Sequence, residues 1–207
     1  MSKRTQLKQV YKYAPTIGIL FFYCIYFYCS TLYLGGTKVD INAVGFDWVE
    51  NYTCDLFHTH GINGQPNPAR PIGMLGILII CTSISLFCFQ FTQKIPMTRF
   101  WKKAIQVSGT LSMIFAVLIF TDLHHFMLIP TSLCALFALI GIVKGLIQNK
   151  LNPYIWTGGA CMLLIVLNNY FYFADILTDI LPLIQKVTIV LVLTWVMSLN
   201  FKLVEAQ

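Results

Sequence analysis

The chain has 207 residues, of which 57% are hydrophobic and only 11% charged, against roughly 25% charged in soluble domains. A soluble fold is excluded, and the net charge of +6 calls for no nucleic-acid partner, because the basic residues segregate as they do in membrane proteins. The length suits a single membrane domain covering residues 1–207.

Apolar runs recur at about 14–34, 72–92, 105–121, 126–147, 154–174 and 180–201, each near the roughly 20 residues that cross a bilayer as a helix. The expected class is all-α, a polytopic membrane protein built as a six-transmembrane-helix bundle with one long extracytoplasmic loop, 35–71. Strands of a membrane barrel alternate apolar and polar residues. Gly73 to Cys81 and Val187 to Leu193 are instead almost unbroken apolar runs.

The first span follows Lys3, Arg4, Lys8 and Lys12 and is too long for a signal-peptide core. Pro15 is expected in its first turn, where a missing N–H costs little. In the loop, Val39, Ile41, Val44, Phe46, Trp48 and Val49 supply apolar surface to pack onto the bundle, and Asn51-Tyr-Thr53 matches a glycosylation sequon. Span two carries Thr82, Ser83 and Ser85, hydroxyls that usually bond back to their own helix. Lys94, Arg99, Lys102 and Lys103 separate spans two and three, and Ser108, Gly109, Thr110 and Ser112 in span three suit close helix approach. Asp122, His124 and His125 form a tight turn before span four. Asn152-Pro153 reads as N-cap and first residue of span five. Asn168 and Asn169 in span five and Gln185 and Lys186 in span six are strongly polar residues near the outer ends of the last two spans.

With the basic residues of the termini and of the two even connectors on one side, the positive-inside rule puts both termini in the cytoplasm, the host being a plasma or inner membrane. Asp40, Asp47, Glu50, Asp55, Asp122, Asp175, Asp179 and all four histidines then lie outside. Six of the seven cysteines fall within spans and read as small apolar fillers; only Cys54 lies in a loop.

Three constellations carry candidate chemistry. Asp55, His58 and His60 can offer zinc two imidazoles and a carboxylate, or bond only to backbone and head groups. Asp122, His124 and His125 can orient a general base or extend a metal site, or simply cap their helices. If the loop folds over this turn, His58, His60, His124 and His125 become the metal-ligand candidates and Asp55, Asp122 and His125 the catalytic ones. Lys186, with Asn168, Asn169 and Arg70, can hold an anionic lipid group, or Lys186 can snorkel outward or pair with Asp179. Asn63 to Pro71 sets a defined, non-helical path into span two. The chain contains no G-x-S-x-G, H-E-x-x-H or phosphate-loop motif.

Cys54-Asp55-Leu56, followed by Asn67-Pro68 and a span, resembles the pattern of six-span proteins that include the bacterial DUF998-type proteins and the eukaryotic DRAM and Frag/Sfk-type families. Those carry a Ser-Asp-Leu/Thr-Gly element after span one and an Asn-Pro turn before span two; here Cys54 stands at the Ser position. The resemblance implies six-span topology and, from some eukaryotic members, an association with lipid or lipid-anchor handling. Membrane hydrolases of the alkaline-ceramidase and adiponectin-receptor type also set Asp and His near one membrane face, but with seven spans and a His-x-x-x-His motif that is absent here.

The expected function is binding of a lipid head group or a protein partner by an extracytoplasmic Asp/His/Lys site. The alternative is a metal-dependent or acid/base hydrolase or transferase acting on lipid, with zinc as the candidate cofactor. A small transporter ranks third.

Overall fold

A computed structural model describes residues 3–205 apart from Asp122; the side chains of residues 3–9 and of His125 lie outside the description. Six α-helices follow in order: α1 (Lys3–Leu32), α2 (Arg70–Lys94), α3 (Arg99–Leu118), α4 (His124–Gln148), α5 (Asn152–Ala174) and α6 (Leu181–Glu205), with a short 3-10 helix η1 (Thr53–Phe57) between α1 and α2. The molecule is all-α. Five helices are long and apolar enough to cross a membrane, over Val10–Leu32, Arg70–Lys94, Phe126–Gln148, Asn152–Ala174 and Leu181–Glu205, which marks the chain as an integral membrane protein. By that criterion α3 does not qualify: Arg99, Lys102 and Lys103 occupy its first turns, and Gln106, Ser108, Thr110 and Ser112 lower its hydropathy.

Each helix packs on its neighbours in sequence, and α6 returns to α1, closing a ring in which α2 also touches α6. Small residues set the close approaches. A Cβ on Gly18 of α1 would collide with Ser83 of α2, and one on Gly109 of α3 would lie 2.6 Å from Cys88 Sγ. The hydroxyls of Thr82, Ser83 and Ser85 bond back to the carbonyls of Leu78, Ile79 and Cys81, so α2 spends none of them on its neighbours.

Two helix starts differ from the sequence expectation. α1 begins at Lys3, so Pro15 lies inside it rather than in its first turn. The missing N–H would have bonded the carbonyl four residues back, at Tyr11; that carbonyl accepts instead from Gln90 Nε2 of α2 at 2.6 Å. Gln90 Oε1 in turn accepts from Asn200 Nδ2, and Asn200 Oδ1 from the Thr16 hydroxyl. A fully bonded polar chain thus ties α1, α2 and α6 in the half of the bundle away from the loop. The other difference is at α5, where the cap position belongs to Leu151 and makes no side-chain bond, with Asn152 already helical.

The segment between α1 and α2 folds onto the bundle, but through fewer apolar residues than its composition suggests. Phe46 meets Tyr26, Tyr33 and Trp48 edge-on, at ring distances of 6.3, 5.8 and 5.3 Å. Val39, Ile41, Val44 and Val49 remain exposed: aromatic edges, rather than aliphatic side chains, dock the segment. Gly36, at φ +87°, closes the turn after α1, and a Cβ there would strike the backbone nitrogen of Asn63. At this end η1 packs on α2 and α6. Phe57 of η1 stacks edge-on against Phe120, just beyond α3, with rings 5.1 Å apart. The loop and the turns α3–α4 and α5–α6 therefore converge at one end of the bundle.

Candidate functional site

Two polar clusters form at the loop end. The first centres on Asn51, which is fully buried. Its amide nitrogen donates to Gly36 O at 2.9 Å and Asp55 Oδ2 at 3.2 Å, and its side-chain oxygen accepts from the Asp47 N–H at 2.9 Å. The ammonium of Lys186 reaches up from α6 to donate to Asn51 O and to Pro182 O, and it lies 5.5 Å from the Phe46 ring centre. Beside it Gln185 Oε1 accepts from the Thr53 N–H at 3.0 Å. Neighbouring residues of α6 thus hold the start of η1. An Asn51 amide so enclosed leaves no room for a glycan on the folded chain, so the sequon is not a modification site in this conformation.

Asp55 is buried and accepts a second bond from the Tyr52 N–H at 2.8 Å. Burial raises its pKa; the bonds from Asn51 and Tyr52 act the other way. Asp47, by contrast, is exposed and held below the ordinary carboxylate range by the N–H groups of Glu50 and Val49. Asn67 completes the frame. Its amide nitrogen donates to the carbonyls of Asp55, Leu56 and His58, and its oxygen accepts from Ala69 N. The two sequence elements Cys54-Asp55-Leu56 and Asn67-Pro68 are therefore physically joined: the Asn clamps the 3-10 turn against the start of α2.

The second cluster faces inward. Cys54 lies in η1, His58 caps its end, and His124 is the first residue of α4. Because the Phe57–Phe120 contact draws the α3–α4 turn against η1, one ligand atom from each of Cys54, His58 and His124 lies within 4.8 Å of the others. The two imidazole rings are 5.8 Å apart. Burial is the main cause that pushes the Cys54 thiol up to about 12, with Asp55 adding to it, so the thiol is protonated near neutrality unless a cation binds it.

These three residues line the loop end, or mouth, of a partly open cavity of about 550 Å³ inside the helix ring, within the 300–1,000 Å³ usual for small-molecule sites. Lys38, Tyr52, Asp55 and Tyr172 share the mouth, and Asn168, Asn169, Ser132 and Gln185 lie in the wall. The remaining lining is overwhelmingly apolar, including Ile77, Phe87, Leu139, Ile142 and Trp195. On α4 the lining residues His124, Leu128, Ser132, Ala135, Ala138, Leu139 and Ile142 follow the three-to-four-residue spacing of one face of a helix. At 1.5 Å per residue they span about 27 Å.

The residues singled out from sequence are thus divided. Asp55, His58, His124, Asn168 and Asn169 line the cavity. His60 is exposed in a bridge with Pro66 and does not join the Cys54 group. Lys186 is spent on backbone carbonyls of its own helix and of the loop. Neither Lys186 nor Arg70, the first residue of α2, is among the cavity-lining residues. Asn169 accepts from Ser132 and donates to Ile165 O. Asp122 and the side chain of His125 lie outside the described residues.

Sequence reasoning passed over Cys54 and Lys38. The one signal available was a lone loop cysteine four residues before a histidine; η1 is a 3-10 helix and His58 its extended cap, so helical spacing does not pair them. Lys38 carried none, because only the fold brings it to the mouth. No family model, curated protein or solved structure matches the chain.

Proposed function

We propose that this protein binds a lipid-like amphiphile, with the apolar chain in the cavity and the polar head at the Lys38, His58 and His124 mouth. In this reading all six helices cross the membrane, α3 within the bundle against α2 and α4. The basic residues then put both termini in the cytoplasm and the loop end outside, in a plasma or inner membrane. The observation that carries the reading is the cavity, which joins a polar mouth to apolar walls through the depth of the bundle. Lys38 supports an anionic head, since its ammonium stands at the mouth, 4.9 Å from the Tyr52 ring centre.

The test is native mass spectrometry of the full chain in mild detergent, wild type against Ala135→Phe, which puts a ring into the cavity. The expected result is a co-purifying amphiphile on the wild type, reduced at least tenfold in the variant at unchanged helicity. Equal retention in both would end the cavity reading.

A second reading, a hydrolase acting on such an amphiphile, is favoured by the proximity of Cys54, His58 and His124 at the head-group end. It requires product release from a long-chain ester or amide by the purified protein, which pure binding does not.

A further inference from the structure

We propose that Cys54, His58 and His124 form a mononuclear zinc site at the cavity mouth, with a fourth coordination position open toward the cavity. The site itself stands independently of what fills the cavity; what the open position meets there rests on the amphiphile reading.

The donor atoms lie within 4.8 Å of one another. A tetrahedral zinc with Zn–N of about 2.0–2.1 Å and Zn–S of about 2.3 Å places its ligand atoms roughly 3.3–3.6 Å apart. Closing the difference takes side-chain rotations among the three residues, of which His58, exposed at the end of η1, is the freest to turn. The backbone beneath needs no rearrangement, since Asn67 holds the His58 carbonyl at 3.1 Å, Gln185 holds the Thr53 N–H, and Phe57 holds the turn that carries His124.

The donor chemistry selects the ion. A thiolate with two imidazoles favours zinc over magnesium or calcium, which prefer oxygen ligands. Three protein donors, rather than four, characterise zinc sites that keep a water or substrate position. Since all three residues line the cavity, that position takes an oxygen donor from inside it: a water, or a carbonyl or phosphoryl oxygen of a head group.

His60, offered by the His-x-His spacing, is not a member. Asp55 lies beside the site but has its Oδ2 committed to Asn51 and to the Tyr52 N–H.

The test uses the full chain in detergent. Elemental analysis should give about one zinc per chain in the wild type and in His60→Ala, and at least a tenfold loss in Cys54→Ala, His58→Ala and His124→Ala. Cobalt replacement should show a thiolate-to-metal charge-transfer band that Cys54→Ser abolishes. A further readout needs no variant: alkylation of Cys54, followed by peptide mass mapping, should slow at least tenfold with zinc and recover with chelator.

Metal retained in Cys54→Ala, loss in His60→Ala equal to that in His58→Ala, or a Cys54 alkylation rate indifferent to zinc would each overturn the site. Ala135→Phe should keep its zinc, so that failure of the amphiphile reading and failure of the metal site are told apart.

Discussion

Cys54 and Asp55 are neighbours in η1, yet their side chains enter clusters of opposite character. Asp55 turns into the Asn51 and Lys186 network, where donors and acceptors from the loop, η1 and α6 satisfy one another. Cys54 turns toward His58, His124 and the cavity. Buried polar groups that are mutually bonded fix a structure and present little to a ligand; polar groups convergent on an apolar cavity are the usual form of a binding site. The contrast teaches that the buried cation, which the sequence offers as a holder of an anionic group, builds the loop, while the half-buried thiol and the imidazoles face the space where chemistry can happen.

The substitution with the largest expected effect breaks both clusters at once. Phe57 is 1% exposed and joins η1 to the α3–α4 turn, so Phe57→Ala should cost about 3–5 kcal/mol. Denaturant unfolding in detergent would read this loss. The same variant should also lose Cys54 protection by zinc, because His124 is no longer drawn against η1. A variant that unfolds like the wild type would mean the turn is held by other contacts.

Next comes the closed cluster alone. Asn51→Ala removes three hydrogen bonds from a fully buried position and should cost about 1–3 kcal/mol through the groups left without partners. Limited proteolysis should then cut between residues 33 and 69 well before the helices. Unchanged protease resistance would count against Asn51 as the hub of the loop.

The open cluster alone should scarcely move stability. His58 is exposed, and with chelator present to strip bound metal His58→Ala should stay within about 0.5 kcal/mol of wild type, read by the same unfolding curves. A loss comparable with that of Asn51→Ala would place His58 among the structural groups and erase the contrast.

The six helices were legible because long apolar runs need no tertiary information, and their ends agree with the expected spans to within a turn or two except where α1 and α3 extend toward the basic end. Pro15 shows the limit of local reasoning: a proline that looks like a helix start sits mid-helix, because Gln90, 75 positions away in sequence, bonds the carbonyl it leaves open. The loop residues show the same limit. Asp55, His58 and His124 stood out by chemistry, but their division between two clusters depends on Asn67 holding the η1 carbonyls and on one aromatic contact at Phe120. Neither has a local signature. Lys186 stood out because an ammonium inside a span is costly; its partners, the carbonyls of Asn51 and Pro182, are backbone groups that no side-chain pattern reveals.

The central claim is that an amphiphile occupies the interior of the helix ring, and the most direct measurement is photolabelling in membranes with a lipid that carries a diazirine in its acyl chain. Peptide mapping should place crosslinks on cavity residues such as Ser112, Ala135 and Ile165, with those interior crosslinks suppressed in Ala135→Phe. Labelling confined to outward-facing residues such as Trp156, which is 81% exposed, and Leu163 would show lipid only around the protein and contradict the account.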